Sequence, residues 1–314
     1  MNFSPDTVTI NRVLSQTLCF GGGAGNILFF LISGYFWKDS IDNRKRIFKL
    51  WLEMFFYSML CLGIAVMVCQ VSSIRLVVAA MLPLSHGEYW FMTAYLVLML
   101  CMPWINILIR NLDKKSHQGL LVVLFIFTSI IPSIPGCPTN IISDVGFYFF
   151  IYLTGVYLRR YPDNYLDSKK INLLASGILL VGLISSVIFM DLLGMKYNSL
   201  TENACYFLRM KCPLVIFWAL SVFDLLKNIE MKHNRFVNYV SGSMLGVYLI
   251  HSNKNIRDAM WKFIFKNMQL ESPYLVVHLI LSVAGIFVVC ISIDFIRREL
   301  LEKPLFKMID KKSQ

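Results

Sequence analysis

Charge is what this sequence has least of. Only 16% of its 314 residues are Asp, Glu, Lys or Arg, against about 25% in an ordinary soluble domain. A chain so poor in charge cannot cover a water-facing surface, which excludes a soluble enzyme. A basic start followed by an apolar core is missing from residues 1–17, so no cleavable secretory signal is read there. No two of the eight cysteines (19, 61, 69, 101, 137, 205, 212 and 290) have CxxC spacing. That argues against a disulfide framework and against a zinc site. The five histidines match no helical metal motif. Gly21, Gly22, Gly23 and Gly25 follow no strand and precede no GK[ST], so they are not a phosphate loop. They suit a tight entry into the membrane instead.

What the chain does have is apolar sequence, 57% of all residues with a mean hydropathy of +0.61. The apolar residues fall into runs near the roughly 20 residues a helix needs to cross a bilayer. Nine spans are expected, at about 18–37, 50–69, 89–109, 119–134, 145–158, 171–192, 212–226, 236–251 and 275–296. Each must be helical, because lipid cannot solvate an unpaired backbone group. The expected fold class is an all-α polytopic membrane bundle, with residues 1–314 forming a single membrane-embedded domain and no soluble domain or internal repeat. Residues 76–84 are apolar but too short to span. In residues 255–268, Ile256, Met260, Phe263 and Ile264 share one helical face and Lys254, Arg257 and Lys262 lie elsewhere. That pattern fits a helix on the membrane surface.

The net charge of +11 would suggest nucleic acid in a soluble protein. Here it marks loop orientation, and no nucleic-acid partner is expected. The odd-numbered connections and the tail hold 21 of the Lys and Arg residues, the even-numbered connections only 6. By the positive-inside rule the basic connections and the C-terminus are cytoplasmic. Met1 then lies outside, which implies an inside-to-outside span ahead of it.

Three stretches stand out. FFLISGYF (Phe29 to Phe36) ends the first span, and its Ser33-Gly34 pair admits close helix approach; an aromatic belt explains it equally. HGEYWFMTAYLVLMLCMP (His86 to Pro103) opens the third span, where Tyr89 and Trp90 suit an interface. SGSMLGVYLIH (Ser241 to His251) ends at His251 toward the outer face. His251 can face headgroups, or it can serve as an active-site imidazole. Arg209 and Lys211 open the seventh span and either snorkel or act on a substrate. Arg44, Lys45, Arg46 and Lys49 follow the first span, as a positive-inside signal or as phosphate ligands. An i,i+4 pair with Lys49 accounts for Glu53. Asp191 and Asp224 sit near span ends, within reach of water. His117 and His233 fall in basic loops.

In this order, FFLISGYF, a basic loop, EYWFMTAYLVLMLCMP and SGSMLGVYLIH resemble the type-3 membrane acyltransferase family over roughly residues 15–300. The resemblance implies about ten spans and transfer of an acyl group, commonly acetyl, from an acyl-CoA to a hydroxyl of an envelope sugar or polysaccharide. The implied setting is the plasma (inner) membrane, with the lipid bilayer, acyl-CoA and a sugar or polysaccharide acceptor as partners. No tightly bound cofactor and no metal are implied. The basic run Arg44, Lys45, Arg46 and Lys49 would hold the coenzyme A phosphates. His251 and Arg209 are the candidate catalytic residues. The family pattern also places a basic residue and a catalytic His in a first span, whereas no His precedes His86 here. A chain lacking that span and its base is therefore expected: either a complete enzyme whose start lies further upstream, or a truncated product inactive in acyl transfer. The competing reading is a transporter or flippase for an envelope glycan precursor, which would favour repeated halves.

Overall fold

A computed structural model of the chain describes residues 7–37, 43–69, 73–138, 142–162, 168–229, 232–261 and 272–304. Among these residues there is no strand. The α-helices are α1 (Ile10–Leu18), α2 (Phe20–Tyr35), α3 (Arg44–Cys69), α4 (Ile74–Met81), α5 (Trp90–Asn111), α6 (Lys114–Phe125) and α7 (Asp144–Arg160). After them come α8 (Lys169–Lys196), α9 (Pro213–Lys227), α10 (Arg235–Ser241), α11 (Met244–His251), α12 (Lys254–Ala259) and α13 (Leu275–Arg297).

Among the described residues seven segments are long and apolar enough to cross a membrane: Ile10–Tyr35, Arg44–Met67, Trp90–Asn111, Lys114–Ser133, Lys169–Lys196, Leu200–Lys227 and Leu275–Leu300. The protein is therefore an all-α, multi-pass membrane bundle. The other two expected spans are helical but different in kind. Residues 145–158 lie in α7, only 17 residues long and buried along most of its length. Residues 236–251 are divided between α10 and α11, with the break at Gly242 and Ser243. The short apolar run 76–84 is mostly α4, whose first turn is capped by the Ser73 hydroxyl. Of the proposed surface helix, α12 is seen, while residues 262–271 lie outside the described residues.

The chain forms two compact units, Met1–Asn43 with Ala94–Glu230 and Arg44–Thr93 with Met231–Gln314. In the first, α2 packs on α7 and α9, α8 on α1 and α9, and α6 on α7. Lipid tails are as apolar as the helices, so helix association rests on close packing and polar contacts. Glycine supplies the close packing. A Cβ on Gly34 would lie 2.1 Å from the Tyr152 carbonyl oxygen, and one on Gly155 would lie 2.3 Å from that of Leu31. Beside this crossing the Phe30 and Tyr148 rings stack at 4.0 Å.

Polar contacts supply the rest, and several depart from the sequence reading. Asp191 does not reach water. It is 1% exposed and accepts from Arg12 at 2.9 Å and from Gln16 at 3.0 Å, one turn apart on α1. Asp224 is equally buried, against Lys227 at 2.8 Å. His117 is no loop residue. It lies fully buried on α6, with Nε2 3.2 Å from the Leu153 carbonyl of α7 and its ring edge-on to Tyr157.

In the second unit, α3 packs on α4, α11 and α12, and α11 on α13. Arg297 is its hub. The guanidinium donates to Glu53 at 3.0 Å, Asp294 at 2.9 Å, Glu302 at 2.8 Å and the Tyr57 hydroxyl at 3.2 Å. Tyr57 in turn donates to Asp294 at 2.6 Å. The account of Glu53 as half of a local pair is thus corrected: Arg297 is its partner, and Lys49 pairs with Glu302 at 2.5 Å. Removing one member of such a buried network strands the others, at a cost of about 3–5 kcal/mol. The glycines of SGSMLG let α13 come close. A Cβ on Gly242 would lie 2.8 Å from the Arg298 guanidinium, and one on Gly246 would lie 2.5 Å from the Asp294 carboxylate. As the α11 numbers rise the α13 numbers fall, so the two helices are antiparallel.

Gly34→Ala must push α2 and α7 apart and should cost about 1–3 kcal/mol. Gly177→Ala on exposed α8, where nothing lies within 4 Å, should be neutral or gain about 0.5–1 kcal/mol. Unfolding of the detergent-solubilised protein by increasing sodium dodecyl sulfate measures both.

Candidate active site

Two of the three distinctive stretches meet in the second unit. The turn ahead of α5 contains Gly87, whose φ of +61° lies in the left-handed region that favours glycine. This turn directs the next two side chains inward. Glu88 is 7% exposed and Tyr89 is fully buried, while Trp90 remains exposed. Of the two aromatics read as interfacial, Trp90 is exposed and Tyr89 is not.

The segment after α11 closes over them. Asn253, fully buried, donates to the Tyr89 hydroxyl at 2.7 Å, and its carbonyl oxygen caps α12 by accepting from the Asn255 amide at 2.9 Å. Asn255 donates to Glu88 at 3.4 Å, and the Ser58 hydroxyl of α3 donates to its other oxygen, also at 3.4 Å. Lys254 reaches the Gly87 carbonyl at 3.4 Å. The contacts to Glu88 are long for hydrogen bonds, so the carboxylate is enclosed but loosely held. Burial pushes its pKa up, with Lys254, Ser58 and His86 opposing.

His251 joins this cluster through Tyr248. Its ring meets the Tyr248 ring edge-on at 6.2 Å, and Tyr248 also meets Tyr89 and Phe91. His251 Nδ1 lies 2.7 Å from the Val247 carbonyl oxygen. A carbonyl only accepts, so Nδ1 carries the hydrogen and Nε2 keeps its lone pair. The Ser252 hydroxyl lies 3.3 Å from that Nε2. A half-buried imidazole with a fixed tautomer, whose Nε2 lone pair already accepts from the neighbouring Ser252 hydroxyl, can take a proton from a hydroxyl that displaces it.

The cluster lies inside the helical layer rather than at its outer edge. Gly246 faces Asp294, three residues from the end of α13. Five further residues carry the chain about 8 Å along α13, at 1.5 Å per residue. His251 is thus about 12 Å from that end of a helix roughly 34 Å long. Ser58, a partner of Glu88, lies about 21 Å along α3 from Arg44, near the middle of that helix. The expectation that His251 lies near the outer face is corrected to that extent.

The remaining sequence candidates stand elsewhere. Arg44, Lys45 and Arg46 are exposed at the start of α3, and Lys49, one turn on, is held by Glu302. Lys49 and Arg297 hold the Glu302 carboxyl below its usual range, although burial pushes it up. Lys49, Glu53, Tyr57 and Cys61 recur every fourth residue on one face of α3, so a polar stripe leads from the basic end toward Ser58 and Glu88. Arg209 belongs to the first unit, where its guanidinium lies over the Tyr206 ring at 4.4 Å. Sequence reasoning missed Glu88, Asn253 and Asn255. An acid directly ahead of an apolar run, and two asparagines directly after one, were the signals available.

A family model for an acyltransferase domain matches residues 1–296. No curated protein and no solved structure matches the chain.

A raised carboxyl pKa means that the folded state binds more protons than the unfolded chain between the two values. Stability should therefore fall as pH rises from the ordinary Glu value through the raised one of Glu88. In Glu88→Gln the slope should be shallower by the contribution of that one carboxyl. Melting temperatures of both proteins in detergent, recorded across pH 4–8, check this.

Proposed function

The chain belongs to the type-3 acyltransferase family, and from that premise we propose that it moves an acyl group, acetyl in the simplest case, from an acyl-CoA to a hydroxyl of an envelope sugar or polysaccharide. The observation that carries this reading is the enclosed cluster of Glu88, Tyr89, Asn253, Asn255 and His251, with His251 Nδ1 held by the Val247 carbonyl and its Nε2 lone pair turned to a hydroxyl, that of Ser252.

In this reading coenzyme A approaches from the cytoplasm, the side that also holds the C-terminus, in the inner membrane. Arg44, Lys45 and Arg46 meet its phosphates through charge-assisted hydrogen bonds. Lys49 adds to them when it exchanges its Glu302 partner for phosphate. The stripe along α3 leads the thioester toward Glu88. His251 Nε2 removes the proton of an acceptor hydroxyl. The freed oxygen lone pair forms a C–O bond at the thioester carbonyl. The resulting tetrahedral oxyanion collapses and the C–S bond breaks. Coenzyme A leaves as a thiolate and takes the proton that His251 had accepted. Glu88 holds the Asn255 amide and Ser58 around the reacting groups and steadies the positive charge that passes through the imidazole.

Cells carrying the gene should have a surface glycan heavier by acetyl-sized increments than cells lacking it. Complementation with His251→Gln should lower the rate of that addition by about 10²–10⁴-fold. Mass spectrometry of the isolated glycan reads both. Loss of the entire polymer without the gene would point to transport of a precursor, and full acetylation by His251→Gln would remove His251 from the reaction.

A further inference from the structure

The first unit holds a second built feature, separate in sequence from the cluster just described. A cavity of about 170 Å³ is lined by Ser133, Asp144, Tyr206, Arg209, Lys211 and Cys212, among others. One water needs only about 10–15 Å³ of such space, so the cavity admits a small polar group. Its floor is a turn over residues 209–212, closed by the Cys212 amide donating to the Arg209 carbonyl at 2.9 Å. Met210, itself one of the lining residues, pins the turn. Its sulfur accepts from the Tyr148 hydroxyl at 3.2 Å, and its side chain fits against Gly23. The Ser129 hydroxyl pins it again at the Lys211 carbonyl, at 2.7 Å.

The charges flanking Met210 are not balanced. Lys211 is paired with Asp144 at 2.9 Å. Arg209 is oriented by the Tyr206 ring, and Tyr206 is itself fixed by its bond to the Ser133 carbonyl at 3.2 Å. Among the described residues the Arg209 guanidinium makes no ion pair and no hydrogen bond. One positive charge is left over, on a planar fork of N–H donors suited to a two-oxygen anion. The helix α9 starts directly after Cys212, and its N-terminal end adds a partial positive charge.

We infer that this cavity binds one oxyanion of the acceptor, with Arg209 as the bidentate ligand and Lys211 as the second cation. The acceptor is then an anionic glycan or glycolipid, and the shared chemistry is that of a uronate carboxylate or a phosphodiester. The part concerning the acceptor rests on the acyltransferase reading, whereas the anion site itself does not. Asp144 opposes the ligand by holding Lys211, so its charge tunes the affinity.

The test is calorimetric titration of the detergent-solubilised full chain with glucuronate, glycerol phosphate and neutral glucose. Acetyl transfer is measured in parallel on cells bearing the same variants. Wild type should bind one of the two anions and not glucose, and the preferred anion identifies the source. Arg209→Gln should weaken that binding about 10–100-fold with an unchanged melting temperature. Asp144→Asn should strengthen it several-fold, because Lys211 is released, and added potassium chloride should weaken it. Equal binding by Arg209→Gln, or no anion binding by wild type, overturns the site. Anion binding without any acetyl transfer keeps the site and overturns the enzymatic reading. Transfer onto a purely neutral glycan overturns the acceptor assignment alone.

Discussion

A polar group carried into the bilayer must find its partner within the protein, and this one constraint orders most of the structure. Water is absent from the hydrocarbon layer and the hydrophobic effect does not press one helix against another there. Arg297 satisfies the constraint by gathering Glu53, Tyr57, Asp294 and Glu302, which ties α3, α13 and the turn beyond it into one piece. Arg12 and Gln16 satisfy it for Asp191. Glycine does the complementary work, removing side-chain volume where Gly34 and Gly155, or Gly242 and Gly246, let backbones and carboxylates approach.

The same constraint separates structural from reactive polar groups. Around Arg297 every contact cited is 3.2 Å or shorter. Around Glu88 the two contacts are 3.4 Å. A group buried but loosely bonded costs free energy without adding rigidity, and such groups concentrate where chemistry is done. His251 has the matching property, one nitrogen committed to a backbone carbonyl and the other held by a single long contact to the Ser252 hydroxyl. Both features sit on stretches that resemble the family, and the family model covers nearly the whole chain.

The spans were legible because apolar run length is a direct consequence of bilayer thickness. All nine expected positions are helical, yet length alone did not reveal that residues 236–251 break at Gly242 and Ser243. The break lies where Asp294 of α13 and Arg298 just beyond it occupy the space beside the two glycines. The placements of Glu53, Asp191, Asp224 and His117 failed for a common reason. Sequence distance was used to choose partners, and Arg297 lies 244 positions from Glu53. His251, Arg209 and the basic run were visible as residues out of place. Glu88, Asn253 and Asn255 were not, since each looks ordinary until the turn at Gly87 and the end of α11 are brought together.

The account's central claim is that two distant stretches make one reaction centre, and the Tyr89–Asn253 hydrogen bond is their tightest link. The most direct measurement is a double-mutant cycle on acetyl transfer, using Tyr89→Phe, Asn253→Ala and the pair. Thiol release from acetyl-CoA by the full chain, in the presence of its glycan acceptor, gives the rates. If the two residues act as a unit, each single variant slows transfer and the double variant is little slower than the worse single one. Independent, multiplying effects, or single variants as fast as wild type, would contradict the claim.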